Sequence, residues 1–250
     1  MTAAAEQAAR NNARWCDTVC RAHGSAGEFG AGYWLHRRAG PPLYPNLVTC
    51  RGDVDTGRVF DEVHALRAAS LPIPWGVKDS FCTLDLMQHG FELLFEARWL
   101  CCDVAATVPV PSAAARLLTW STVTDAAQLA AWERGWSLAN ALVQGPVRQF
   151  PDSLLADREV RFIAGHRGSA LIAGAILNRS EAEVGVSNTF TADPDRAIPW
   201  PDLIHQARRA FGGLPIVGYE QGSNVADACR AGFEDVGALR VWLAAALETP

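Results

Sequence analysis

The alternation of apolar and polar stretches near the end of the chain predicts a strand, a short helix and a second strand. Residues 214–219 are an apolar run of strand length, and a polar turn follows them. A short helix is predicted over residues 224–231, because Gly232 suits the position after a helix end, where glycine adopts a left-handed backbone without steric cost. Residues 238–243 predict the next strand.

The same strand–helix–strand pattern occurs earlier, in residues 71–100. Leu-Pro-Ile stands at residues 71–73 and 214–216, and Gly-Phe-Glu stands at residues 90–92 and 232–234. Upstream matches, such as Asp61 with Asp202 and Asn46 with Asn188, keep the same order along the chain. We interpret this collinear series as an internal duplication.

The rest of the second half predicts a strand, a helix, three strands joined by short turns, and another helix. These elements fall at residues 117–123, 125–136, 159–165, 169–178, 183–191 and 202–211. Strands joined in this way form an antiparallel meander. With the final strand–helix–strand, the second half therefore reads β-α-βββ-α-β-α-β.

The first half has the same final elements after a shorter beginning. Helices are predicted at residues 11–23 and 59–69, with residues 1–9 frayed or loosely helical, and strands at residues 33–38 and 44–50. The proline-spaced segment 108–112 is the best linker. We expect an α+β protein with two mixed-sheet repeats, a shortened one over residues 1–112 and a fuller one over residues 113–250.

Composition and charge narrow the class of protein. The formal net charge of −5 argues against nucleic acid or an anionic membrane as the main partner. No apolar run approaches the roughly eighteen residues that a membrane span needs. The N-terminal segment carries Glu6 and Arg10 where a signal peptide has an apolar stretch. Seven cysteines without a Cys-x-x-Cys motif are typical of a reducing compartment. We expect a cytoplasmic protein.

The element order, together with the segment from Asn224 to Phe233, resembles the GNAT superfamily of N-acetyltransferases. The resemblance covers residues 115–250 well and residues 44–106 in part. It implies a mixed sheet whose strands 183–191 and 214–219 splay apart, and transfer of an acyl group, usually acetyl, from coenzyme A to an amine. It also implies that acetyl-CoA or another acyl-CoA contacts Val186, Ser187, Asn188, Thr189, Phe190, Thr191, Arg196 and Asn224.

Direct attack of an amine on a thioester requires a base, a donor to the oxyanion and an acid for the leaving thiolate. The resemblance implies that a backbone N–H of strand 183–191 holds the acyl oxygen. Glu220 is the candidate base, with a solvated loop carboxylate as the alternative. Tyr219 is the candidate acid, with a strand-end aromatic as the alternative. Ala228 stands where many members of the superfamily have a tyrosine.

The loop at residues 192–201 departs from the glycine-rich phosphate loop of the superfamily. It has no glycine, and its three prolines lack the N–H groups that bind phosphate. Asp193 and Asp195 would repel a diphosphate, which leaves Arg196 as the cation. The first-half loop at residues 51–58, with two glycines and two arginines, is the alternative phosphate site; otherwise it is an ordinary exposed turn.

The sequence therefore favours a cytoplasmic tandem acyl-CoA-dependent N-acyltransferase that acts on a small-molecule or peptide amine. The alternative is a catalytically degenerate fold of the same kind, kept as a binding or assembly module. The proline-rich loop and the missing tyrosine favour that alternative.

Overall fold

The structure, a computed structural model, describes residues 2–69, 71–72, 74–109, 118–141, 148–192 and 197–245. Its helices are α1 (Ala3–Ala22), α2 (Thr56–Ala68), α3 (Ala126–Ala139), α4 (Trp200–Phe211) and α5 (Ser223–Arg230). Its strands are β1 (Glu28–Phe29), β2 (Tyr33–Leu35), β3 (Leu47–Thr49), β4 (Gly76–Asp79), β5 (Phe91–Cys102), β6 (Thr119–Thr122), β7 (Val160–Arg167), β8 (Ala170–Arg179), β9 (Val184–Thr191), β10 (Ile216–Glu220) and β11 (Glu234–Ala244).

The described residues divide into two units. The first contains those up to Trp99 and those from Val236 onward, and the second runs from Leu100 to Asp235. Most of β11, the last strand of the chain, therefore belongs to the first unit. The predicted boundary at residues 112 and 113 lies outside the described residues and stays a prediction.

The sheet of the first unit has the strand order β1-β2-β3-β4-β11-β5. β3 and β4 are parallel, and β11 runs antiparallel to β4 with Arg240 opposite Asp79. α2 buries one apolar side, which includes Val59, Val63 and Leu66, in a core shared with these strands. The spacing of three and four residues between these side chains is that of one helix face.

The first helix begins earlier than the sequence analysis predicts. α1 starts at Ala3, where Thr2 Oγ1 accepts the Ala5 N–H at 3.2 Å and caps the helix. Ala5 and Ala9 are buried, so residues 3–9 are packed helix and not a frayed end. Small alanine side chains gave little hydrophobic signal in the sequence, although they allow a helix to pack closely.

The second unit follows the predicted order of elements. Beyond the end of β5, its strands are arranged β10-β9-β8-β7-β6. β7, β8 and β9 form the predicted antiparallel meander. On α3, Trp132 is fully buried and donates its indole N–H to Ile163 O at 2.9 Å, which fixes the helix on the sheet. Within the described residues, the predicted reading β-α-βββ-α-β-α-β is confirmed.

The first-half segment differs from the strand–helix–strand prediction. β4 begins only at Gly76, and a 3-10 turn at Met87–His89 stands in place of the helix. The cause is Asp79, whose fully buried carboxylate accepts the N–H groups of Thr83 and Leu84 at 3.1 and 2.9 Å. These bonds hold the chain in a loop, since backbone donors that bind a side chain are no longer available to a helix.

Within the described ranges, no helix is both long enough and apolar enough to span a membrane.

Candidate functional site

β9 and β10 lie side by side only where β10 begins. Their parallel ladder joins Ile216 to Val184 and Val217 to Gly185. β9 then continues to Thr191 and β10 to Glu220 beyond this ladder. The expected parting of these two strands is confirmed, and the carboxyl ends of parallel strands are where open α/β sheets bind ligands.

Gly218 marks the point at which the two strands are still in close contact. A Cβ atom at this position would lie 2.7 Å from the carbonyl oxygen of Val186. That distance is shorter than any normal contact, so only glycine allows the backbones to approach this closely. The strands are therefore held together at Gly218, immediately before they part.

β9 contains a bulge just after this point. Ile176 of β8 pairs with Ser187 and Gly174 pairs with Phe190, so that Asn188 and Thr189 together face one residue of β8. Asn188 has a φ of 49°, in the left-handed region that asparagine tolerates better than most residues. A bulge of this kind takes backbone groups out of the ladder and directs them elsewhere. The expected oxyanion donor in this strand is compatible with that geometry.

Glu220 connects the two parted strands through its side chain. Thr189 Oγ1 of β9 donates to one carboxylate oxygen at 3.0 Å, and Asn224 Nδ2 of α5 donates to the other at 3.3 Å. Burial raises the pKa of the Glu220 carboxyl above its ordinary value, and these donors together with the Gln221 N–H oppose that rise. The structure therefore brings together Thr189, Glu220 and Asn224, which belong to β9, β10 and α5.

The raised pKa of Glu220 is a shift in the direction that favours a general base. A base works best when its pKa lies near the operating pH, and burial moves a carboxyl in that direction. The Thr189–Glu220 hydrogen bond also spans the opening between β9 and β10. A ligand that enters here must lie beside the Thr189–Glu220 bond or replace it.

Tyr219 and Glu220 differ in orientation. Successive side chains of a strand point to opposite faces, and both residues lie in β10. Tyr219 is half-buried, and its role as the acid stays a prediction. Ala228 is fully buried in the core with Phe233 and Ile216, so the position where the superfamily often has a tyrosine serves packing here.

The other predicted cofactor residues divide by burial. Val186 packs in the core beneath α4, and the Phe190 ring lies 5.3 Å from the ring of Trp132, so these side chains serve the core. Ser187 Oγ is buried and has no hydrogen-bond partner among the described residues. Thr191 is half-buried at the end of β9. Arg196 lies outside the described residues.

The beginning of α4 offers few donors for a phosphate. The Trp200 N–H donates to Ile198 O at 2.8 Å, and the Leu203 N–H donates to Pro199 O at 3.1 Å. The Leu203 bond is the first regular bond of the helix, and Pro199 and Pro201 have no N–H. Of the four N–H groups that a helix N-terminus normally leaves free, only that of Asp202 therefore remains among the described residues. These contacts concern residues 198–203 alone, and poor diphosphate binding by the whole loop stays a prediction, because residues 193–196 lie outside the described residues.

The alternative phosphate site, at the beginning of α2, already contains carboxylates. Asp55 Oδ1 accepts the N–H groups of Gly57 and Arg58 at 3.0 and 3.3 Å, and Glu6 accepts the Gly52 N–H at 3.1 Å. Arg51 is paired with Asp53 at 2.7 Å. This loop is a capped helix N-terminus whose donors the protein itself uses.

Three features of the site were missed in the sequence. The first is Gly218, whose close contact with Val186 depends on a neighbouring strand. The second is the left-handed Asn188, for which an asparagine inside a predicted strand was the available signal. The third is Asp202, a buried carboxyl in the first turn of α4.

No protein-family model and no curated protein sequence matches the chain. Several solved structures do. A GCN5-related N-acetyltransferase from Kribbella flavida has 16% identity and a TM-score of 0.65, with 96% of each chain covered. A second GCN5-related N-acetyltransferase, from Sphaerobacter thermophilus, has 10% identity and a TM-score of 0.55, with 79% of this chain and 70% of that chain covered.

A Staphylococcus epidermidis protein of unknown function has 7% identity and a TM-score of 0.58, with 88% of this chain and 94% of that chain covered. Identities this low establish similarity of fold alone. The described part of the chain has the α+β fold of the GNAT N-acetyltransferases.

Proposed function

We propose that the protein transfers an acyl group, in the first instance acetyl, from an acyl-CoA thioester to an amine of a small molecule or peptide. The observation that carries this proposal is the Glu220 carboxyl at the point where β9 and β10 part. It is half-buried, desolvation raises its pKa, and it lies beside a bulge in β9. The GNAT fold makes N-acylation the reaction that best fits these features.

In the proposed reaction the amine attacks the thioester carbonyl carbon directly. Glu220 accepts the proton that the amine nitrogen loses as the new C–N bond forms. A backbone N–H of the bulge at Asn188–Thr189 donates to the oxyanion, which is the charge that develops in the transition state. The C–S bond then breaks, and Tyr219 is the proposed donor of a proton to the leaving thiolate.

Release of free thiol from acetyl-CoA in the presence of a panel of amines tests this function. We expect Glu220→Gln to lower kcat by about 10²- to 10⁴-fold, the usual contribution of a positioned general base. Glu92→Gln is the matched control, because Glu92 is an exposed glutamate of β5. If Glu220→Gln kept the wild-type rate, the base would be another group.

A second candidate is a GNAT fold that binds a partner without turnover. The few donors at the beginning of α4 and the core position of Ala228 favour it. It predicts no thiol release by the wild-type protein with any amine of the panel, although ligands still stabilise the protein against heat. Measurable thiol release that depends on the amine would contradict it.

We also propose that the chain contains two copies of the fold, a shortened one over residues 1–112 and a fuller one over residues 113–250. The proposed location is the cytoplasm. The two-copy organisation is supported by the collinear sequence matches. An acidic residue also ends each of the two matching strands, Asp79 in β4 and Glu220 in β10. In an experimental structure, residues 44–106 should superpose on residues 186–244 in the order strand, helix, strand, connecting turn or helix, and strand. A different path of the chain would contradict the duplication.

A further inference from the structure

We infer that the acyl donor is recognised through its acyl-thioester arm and not through a diphosphate or nucleotide head group. This inference rests on the proposed function, because it names the part of the donor that the site binds. Its basis is the set of groups that surround the two helix N-termini where a diphosphate would be expected.

At α4 the described residues offer few of the N–H donors that a diphosphate requires, and Arg196, the cation of the preceding loop, lies outside them. The Trp200 N–H is bound to a backbone carbonyl, and Pro199 and Pro201 have no N–H. A diphosphate binds a helix N-terminus through several N–H groups and the positive end of the helix dipole. One remaining N–H in the first turn gives a small fraction of that interaction.

Asp202 makes the same helix N-terminus less favourable for an anion. Its side chain is buried, with 8% of the residue exposed, and its Oδ2 atom has no hydrogen-bond partner among the described residues. As a carboxylate it repels phosphate across a medium of low dielectric constant. As a neutral acid it presents one hydroxyl donor. Neither form replaces the missing N–H groups.

At α2 the protein's own carboxylates take the place of the ligand. Asp55 accepts two N–H groups of the first turn, and Glu6 accepts the Gly52 N–H of the preceding loop. A diphosphate would have to displace both acids. It would also meet the negative charges of Asp53 and Asp55, which already pair with the nearby arginines.

The part of the site that is proposed to bind the thioester differs from the two helix N-termini because it offers polar groups to a ligand. The bulge in β9 has backbone groups outside the β8 ladder, and Glu220 stands at the end of β10. Ser187 Oγ adds a buried polar atom without a partner among the described residues. The free energy of donor binding is therefore expected to come from the acyl group and the arm next to it.

The test compares acetyl-CoA with S-acetylpantetheine, which has the same thioester arm but lacks the diphosphate and nucleotide. With the full-length protein and one amine acceptor, we expect kcat/KM for the two donors to differ by less than about tenfold. A preference for acetyl-CoA of about tenfold or more, the ratio that corresponds to 1.4 kcal/mol, would overturn the inference.

Binding measurements separate this inference from the proposed function. Titration calorimetry with coenzyme A and with pantetheine should give dissociation constants within about tenfold of each other, and adenosine 3′,5′-bisphosphate should show no heat of binding. If neither donor reacts, the proposed function fails, while equal affinities for the two thiols still support the inference. Binding of the bisphosphate, weaker pantetheine binding by about tenfold or more, or no pantetheine binding would each overturn it.

Discussion

The hydrogen bond from Thr189 to Glu220 gives a quantitative prediction. Thr189→Val removes the hydroxyl, which donates at 3.0 Å, and keeps the size of the side chain. A hydrogen bond to a charged group contributes about 1.5–3 kcal/mol, and one between neutral groups about 0.5–1.5 kcal/mol. At a pH above the raised pKa of Glu220, where its carboxyl is ionised, the substitution should lower the free energy of unfolding by about 1.5–3 kcal/mol. In a Glu220→Gln background it should cost about 1 kcal/mol.

Urea denaturation of the wild type, both single variants and the double variant measures this difference as a double-mutant cycle. Thr122→Val is the matched control, because Thr122 is an exposed strand threonine and should change stability by less than about 0.5 kcal/mol. Loss of the donor should also raise the pKa of Glu220 further and move the pH–rate profile to higher pH. An equal cost of Thr189→Val in both backgrounds would refute the proposed bond.

Three further predictions follow from other contacts. Gly218→Ala places a methyl group 2.7 Å from Val186 O and should cost about 1–3 kcal/mol in urea denaturation; an unchanged midpoint would contradict the close contact. Asp17→Ala leaves the buried Trp34 indole N–H, which donates at 3.1 Å, without its acceptor and should cost about 1–3 kcal/mol in urea denaturation; an unchanged midpoint would contradict this bond. Because the folded-state pKa of Glu220 is raised above its ordinary 4.5, its contribution to stability is full below pH 4.5 and is lost as pH rises through the raised value. Glu220→Gln should therefore stabilise the protein more at pH 8 than at pH 4.5, and an equal effect at both would contradict the raised pKa.

The sequence predicted those parts of the fold whose determinants are local. The apolar run that became β10 and the glycine after α5 both act within a few residues, and Gly232 has a φ of 110° as its position requires. The meander of β7, β8 and β9 was equally visible, since short turns separate runs with strand character.

The elements that were mispredicted depend on contacts between distant residues. α1 is stabilised by burial of small alanines, which carry little hydrophobic signal of their own. The helix predicted within residues 71–100 is absent because the Asp79 carboxylate accepts N–H groups of the loop that follows β4. The sequence alone does not distinguish a strand-end carboxylate that faces solvent from one that accepts N–H groups of the following backbone.

The site was only partly visible for the same reason. Glu220 could be chosen because it follows the predicted strand 214–219, and Asn224 because it begins the predicted helix 224–231. The hydrogen bond from Thr189 to Glu220 joins residues 31 positions apart in the sequence, and it forms only because β9 and β10 are neighbours in the sheet. The scarcity of N–H donors at the beginning of α4 was easier to predict from the sequence, since proline has no N–H in any fold.

The central claim is that an acyl thioester enters between β9 and β10 beside Glu220. A crystal structure with a non-reactive acetyl thioether analogue of the donor tests it most directly. We predict that the acyl carbonyl lies within hydrogen-bond distance of a backbone N–H of the Asn188–Thr189 bulge, with the Glu220 carboxylate near the carbonyl carbon. An analogue bound elsewhere, or no bound analogue and an unchanged Thr189–Glu220 hydrogen bond, would contradict it.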